Sequence, residues 1–157
     1  MLVGGGTELN DSWSWNHTPY QWAVDQSANK RVAIIAFGES SDPEWLPDYF
    51  MSLGASDAKN FIINNTDSAQ SQVTYDTLMQ YDMFFFKGGD QSNYYSTYKN
   101  SKVTSAMTDK FYQGGVISGT SAGMAIISEI VYTAESGTLY PDQALENVNH
   151  QNITLEN

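Results

Sequence analysis

The residues best suited to chemistry lie in Gly119-Thr120-Ser121-Ala122-Gly123, a Gly-x-Ser-x-Gly pentapeptide with apolar Val116-Ile117 before it and Met124 to Ile127 after it. A strand, a sharp turn and a helix of this composition are what a nucleophilic serine requires. The turn forces the serine into a strained backbone region, and side chains two residues before and after it would collide. The hydroxyl then projects above the sheet at the positive end of the following helix, where an oxyanion is stabilised. The same residues also suit an ordinary helix start with Ser or Thr as its cap. Upstream, Lys87-Gly88-Gly89-Asp90-Gln91 follows another strand-like run. The Gly89 N–H could join that of Ala122 in an oxyanion hole, although a plain tight turn uses Gly-Gly-Asp equally well. Lys87, at the strand end, could meet a substrate carboxylate or simply face solvent.

Both motifs need a scaffold. Apolar runs bounded by Gly, Asp and Asn recur at 1–6, 31–37, 59–64, 82–89 and 114–119. They lack clean alternation, so they read as strands covered on both faces, as in a parallel sheet. Helix-like stretches separate them at 19–28, 42–54 and 100–115, the second with Asp42 as N-cap, Pro43 in the first turn and Gly54 past the end. This rhythm predicts an α/β fold: a doubly wound, mostly parallel sheet with helices on both faces, flavodoxin-like in kind. Such sheets carry their sites at the carboxyl ends of the strands, where both glycine loops fall. Residues 64–72 read as a polar loop tip, and 124–130 as the helix after the elbow. Gly4-Gly5-Gly6 lacks a dinucleotide fingerprint and reads as a site-edge turn.

The chain has 157 residues, one domain's worth, and a formal charge of -11. Its seven cations are scattered, which argues against nucleic acid as a partner. With no cysteine and only His17 and His150, zinc or iron clusters cannot be assembled, so neither metal nor cofactor is expected. No apolar run approaches the roughly 20 residues that span a bilayer, and a membrane is not an expected partner. Four Asn-x-Ser/Thr triplets begin at Asn10, Asn16, Asn64 and Asn152, as chance supplies in an Asn- and Thr-rich chain.

The pairing of Lys87-Gly88-Gly89-Asp90-Gln91 with the elbow about thirty residues later, together with Leu2-Val3-Gly4-Gly5-Gly6 at the start, resembles peptidase family S51, which contains cyanophycinase and aspartyl dipeptidase. The likeness implies a fold similar to the class I glutamine amidotransferases and a serine peptidase that hydrolyses aspartyl peptide bonds through a Ser-His-acid triad. By motif position it implies Ser121 as nucleophile, Gly89 and Ala122 as oxyanion donors and Gln91 as a substrate-positioning residue. Glu135 stands at about the place of the acid; Glu129 is nearer in sequence but is expected to face solvent. The family's histidine, in an Asp-x-His-Phe-like segment followed by arginines, has no counterpart here. His150 lacks those neighbours and reads as a loop histidine rather than the base. Residues 1–157 are therefore expected to be the N-terminal part of one α/β peptidase domain, the C-terminal part missing or on a second, processed chain that carries the histidine. A catalytically inactive family member that binds aspartyl ligands and an α/β-hydrolase-type esterase are the alternatives. Expected partners are a peptide containing Asp, that C-terminal segment or second chain, and a second copy in a homodimer. An exported location, periplasmic or extracellular, is favoured over the cytoplasm.

Overall fold

The computed structural model describes residues 1–38 and 45–156. The apolar runs become strands β1 (Leu2–Val3), β2 (Arg31–Ala36), β3 (Asp57–Ile62), β4 (Met83–Phe86) and β5 (Val116–Thr120) of a five-stranded sheet in the order β1-β5-β4-β2-β3. Every neighbouring pair in it is parallel. Central strands β2, after Arg31, and β4 are apolar throughout because both of their faces are covered. Val32, Ile34, Met83 and Phe85 face one layer, while Ala33, Ile35, Phe84 and Phe86 face the other.

The first layer is α1 (His17–Gln26) and α2 (Trp45–Ser52), packed through Tyr20, Val24, Leu46 and Phe50. Tyr20 meets Phe85 edge-on at 4.8 Å between ring centroids and stacks on Phe50 at 5.5 Å. Such pairs add about 0.5–1.5 kcal/mol each beyond their buried area. The opposite layer comprises α3 (Thr66–Gln70), α4 (Gln72–Leu78), α5 (Gln91–Tyr98), α6 (Lys102–Tyr112) and α7 (Ala122–Ala125). Helices thus cover both faces of a doubly wound parallel sheet, as the alternation of runs predicts. Asp42 and Pro43 lie outside the described residues; Gly54 does follow α2, at a φ of 92° that favours glycine.

Two local expectations are corrected. The polar stretch at 64–72 contains α3, because the Asn65 side chain accepts from the Ser68 N–H at 2.9 Å and so caps a turn of helix. The helix after the elbow stops at Ala125 instead of running to residue 130. There the Ser128 hydroxyl donates to the Ala125 carbonyl at 2.7 Å, taking the acceptor that the N–H of residue 129 would need. Helix α5 was not foreseen. Beyond the elbow, β6 (Val131–Tyr132) and β7 (Leu155–Glu156) pair antiparallel, with α8 (Pro141–Glu146) between them.

Candidate active site

Ser121 joins β5 to α7 with φ 50° and ψ -122°, a conformation that L-residues other than glycine rarely adopt. Its side chain is exposed at the carboxyl edge of the sheet. Two close backbone approaches hold the turn. A Cβ on Gly119 would lie 2.6 Å from the Gly123 carbonyl carbon, and a Cβ on Gly123 would lie 2.1 Å from the Phe86 carbonyl oxygen. The outer glycines of the pentapeptide are therefore demanded by the packing of β5, α7 and the end of β4 against one another. The Ser121 N–H donates to the Val3 carbonyl at 3.2 Å, which ties the turn to β1 as well.

The serine hydroxyl sits among glycines. A Cβ on Gly5 would come 3.0 Å from Ser121 Oγ, and one on Gly88 would lie 3.3 Å from Ser121 Cβ. The turns after β1 and β4 thus both abut the nucleophile candidate. Gly5 and Gly88 are contacts that motif reasoning did not single out; the signal was present in the double and triple glycines, but not which member of each makes the approach.

Beneath the elbow, the Thr120 hydroxyl interacts with the phenol of fully buried Tyr20, which in turn donates to Glu8 Oε1. Burial, then the Glu8 carboxylate, push the pKa of this phenol far above its ordinary value, so it remains a donor. Lys87 also lies here. It is partly buried rather than solvent-facing, and burial lowers the pKa of its ammonium while the Glu8 carboxylate acts in the opposite direction.

The other candidate residues fall on several different elements. Ala122 is buried and opens α7, so its N–H belongs to the first turn, where amides lack partners inside the helix. Gly89 occupies the exposed turn between β4 and α5 with φ 151°. Asp90 caps α5 by accepting from the Ser92 N–H at 2.9 Å, which makes Gln91 the first residue of that helix, partly buried. Glu135 is exposed just past β6, with its carboxylate 3.4 Å from the Thr133 hydroxyl. Glu129 is exposed in the turn that follows α7, not on a helix.

Among the described residues, neither histidine is hydrogen-bonded to Ser121. His17 Nδ1 lies 3.3 Å from the Tyr49 hydroxyl, and His150 Nδ1 accepts from the Asn152 N–H at 3.2 Å. A triad needs that Nδ1 position to donate to the acid, so His150 is engaged the wrong way round. An apolar groove of about 230 Å³ opens between α5, α6 and β6, lined by Phe86, Tyr94, Tyr98, Val103, Met107 and Ile126; Ser121 does not line it. Among the described residues no group of three or more His, Cys, Asp or Glu is arranged to hold a metal ion, and no helix is long and apolar enough to cross a membrane.

Two solved structures share this architecture. A peptidase from an acI-B1 Actinobacterium superposes with a TM-score of 0.56 at 16% identity, over 71% of this chain and 50% of that one. A candidate peptidase E protein from Listeria monocytogenes EGD-e gives 0.55 at 17% identity, over 85% of this chain and 66% of that one. At those identities the likeness speaks for the fold, and the chain spans between half and two thirds of the length of these neighbours. No curated protein matches it. The model of peptidase family S51, however, matches residues 1–153, nearly the whole sequence, and the chain belongs to peptidase family S51.

Proposed function

We propose that this chain carries the nucleophile half of a serine peptidase that hydrolyses aspartyl peptide bonds. The observation that carries the reading is the backbone of Ser121: φ 50°, ψ -122°, held by two glycines that admit no side chain. Strain of about 1–3 kcal/mol at one residue persists only where the surroundings over-determine it, and such sites concentrate at catalytic centres. Ser121 attacks the scissile carbonyl, and the N–H groups of Ala122 and Gly89 receive the oxyanion. Gln91 orients the substrate, and Glu135 orients the imidazole of the general base. That imidazole comes from a C-terminal segment or second polypeptide, since His17 and His150 are bonded elsewhere.

The test is hydrolysis of a matched pair of peptides, with Asp or Asn before the scissile bond, by the intact polypeptide. The Asp peptide is expected to be cut faster, and Ser121→Ala is expected to abolish cleavage, by up to about 10⁶ in rate where nucleophile and base act as a unit. Equal rates on the two peptides leave only a generic serine hydrolase. A folded Ser121→Ala protein with more than a few per cent of the activity removes the nucleophile assignment.

A second reading has one observation in its favour: both histidines of the chain are occupied away from Ser121. On that reading the protein binds aspartyl ligands without cleaving them. Binding of an aspartyl peptide with no turnover in the intact polypeptide distinguishes it.

A further inference from the structure

The chain holds seven Lys and Arg residues, and most are spoken for. Lys30, Arg31 and Lys99 pair with Asp25, Asp57 and Glu156. Lys110 donates to the Met79 carbonyl, and Lys102 lies over the Tyr75 ring. Lys59 is exposed on the edge strand β3. Lys87 differs from all of these: it is partly buried, yet its side chain makes no hydrogen bond, ion pair or ring contact among the described residues.

Its position is fixed by β4. Met83 and Phe85 pack on the α1–α2 side of the sheet, and the two-residue period of a strand carries Lys87 to that same side, above Phe85 and beside the Tyr20–Glu8 pair. Its backbone is pinned against the elbow, since its carbonyl oxygen would lie 2.5 Å from a Cβ on Gly123. The next residue, Gly88, abuts Ser121. An ammonium partly withdrawn from water with no partner is unfavourable, and the cost is recovered when an anion arrives. Glu8 nearby favours the charged form of the amine without pairing with it.

We propose that Lys87 is the group that reads substrate charge at this site: its ammonium binds the free carboxylate of an aspartyl residue whose linking carbonyl lies over Ser121. The inference rests on the aspartyl peptidase reading above and names the residue that confers its specificity. The carboxylate is that of the side chain in an α-linked residue and that of the main chain in a β-linked one, so the probes must separate the two. N-acetyl-aspartate amidated at its α-carboxyl, at its β-carboxyl, or at both serves this purpose.

Binding is measured by calorimetry to the intact polypeptide carrying Ser121→Ala, so that no turnover intervenes. One of the two monoacids is expected to bind at least about tenfold more tightly than the diamide, the scale of one charge-assisted hydrogen bond. Which of the two binds identifies the linkage. Adding Lys87→Met is expected to erase that difference, while Lys87→Arg, which keeps the charge, retains most of it. If the monoacids bind no better than the diamide, or Lys87→Met leaves their advantage intact, the proposal is overturned. Circular dichroism of each variant separates lost binding from lost fold. The nucleophile assignment stands or falls separately, on hydrolysis by the protein with Ser121 present.

Discussion

At Ser121 one residue carries both the candidate nucleophile and the backbone strain, and substitution separates them. Ser121→Ala deletes the hydroxyl but keeps a Cβ at φ 50°, so the strain remains. Ser121→Gly relieves it, and is expected to be more stable than Ser121→Ala by about 1 kcal/mol, which paired urea titrations measure. An ordinary N-cap also favours glycine over alanine, so the deciding comparison is with the parent serine: relief of strain makes Ser121→Gly more stable than the parent, and a Ser121→Gly protein less stable than the parent would mark the turn as unstrained. The neighbouring glycines give a sharper contrast. A methyl on Gly123 would run into the Phe86 and Lys87 carbonyl oxygens at 2.1 and 2.5 Å, whereas one on Gly4 meets nothing within 4 Å. Gly123→Ala is therefore expected to cost about 3 kcal/mol by overpacking, and Gly4→Ala to fall within about 0.5 kcal/mol of the parent. The pentapeptide made the elbow legible in the sequence because each of its small residues answers a local backbone demand. Gly5 and Gly88 were not legible as contacts, because their approach to Ser121 depends on three strands lying side by side.

Helix α5 places Gln91 and begins at the capping carboxylate of Asp90, which accepts from both the N–H and the hydroxyl of Ser92. Asp90→Ala is expected to cost about 1 kcal/mol, the usual worth of an N-cap, and to fray the first turn. Hydrogen exchange at the Ser92 amide should accelerate while that in β4 stays unchanged; uniform acceleration would mean that Asp90 acts on the whole fold instead. This helix escaped the sequence because Ser92-Asn93-Tyr94-Tyr95-Ser96, after Gln91, is built of residues with middling or poor helix propensity. What decides it is tertiary: Tyr94 and Tyr98 are buried against Phe86, and the Tyr98 hydroxyl donates to the Ile63 carbonyl at 2.8 Å. The strands were easier to read, since β2 and β4 are buried on both faces and can be little other than continuous apolar runs. Lys87 was ambiguous for the opposite reason. Sequence places it at a strand end but cannot show that Tyr20, Glu8 and Thr120 gather there from three distant parts of the chain.

Across the whole molecule the two edges of the sheet are unlike. At one end β3 carries Asp57, Lys59 and Asn60, the charged and polar residues that discourage a further strand from pairing. At the other, β1 offers only Leu2 and Val3, with Leu2 60% exposed. Beside it lies an apolar groove lined by Met107, Phe111, Ile117 and Ile127, and Tyr112 at its rim is 82% exposed. An edge of this kind is a template for another polypeptide, and a second copy of residues 1–157 is available in any concentrated solution. Against that stands a formal charge of -11, which repels copies at long range and is screened by salt. The chain prepared alone is therefore expected to self-associate with rising concentration, and more strongly in about 0.5 M salt than in about 0.05 M, as followed by sedimentation velocity. Leu2→Lys puts a charge on the open edge and should weaken association by about tenfold or more, the effect of roughly 1.4 kcal/mol. Leu145→Lys is the control, because Leu145 is 85% exposed on α8, a helix outside the five-stranded sheet. If both substitutions weaken association equally, general surface apolarity drives it; if neither does, the β1 edge is closed by something other than a second copy.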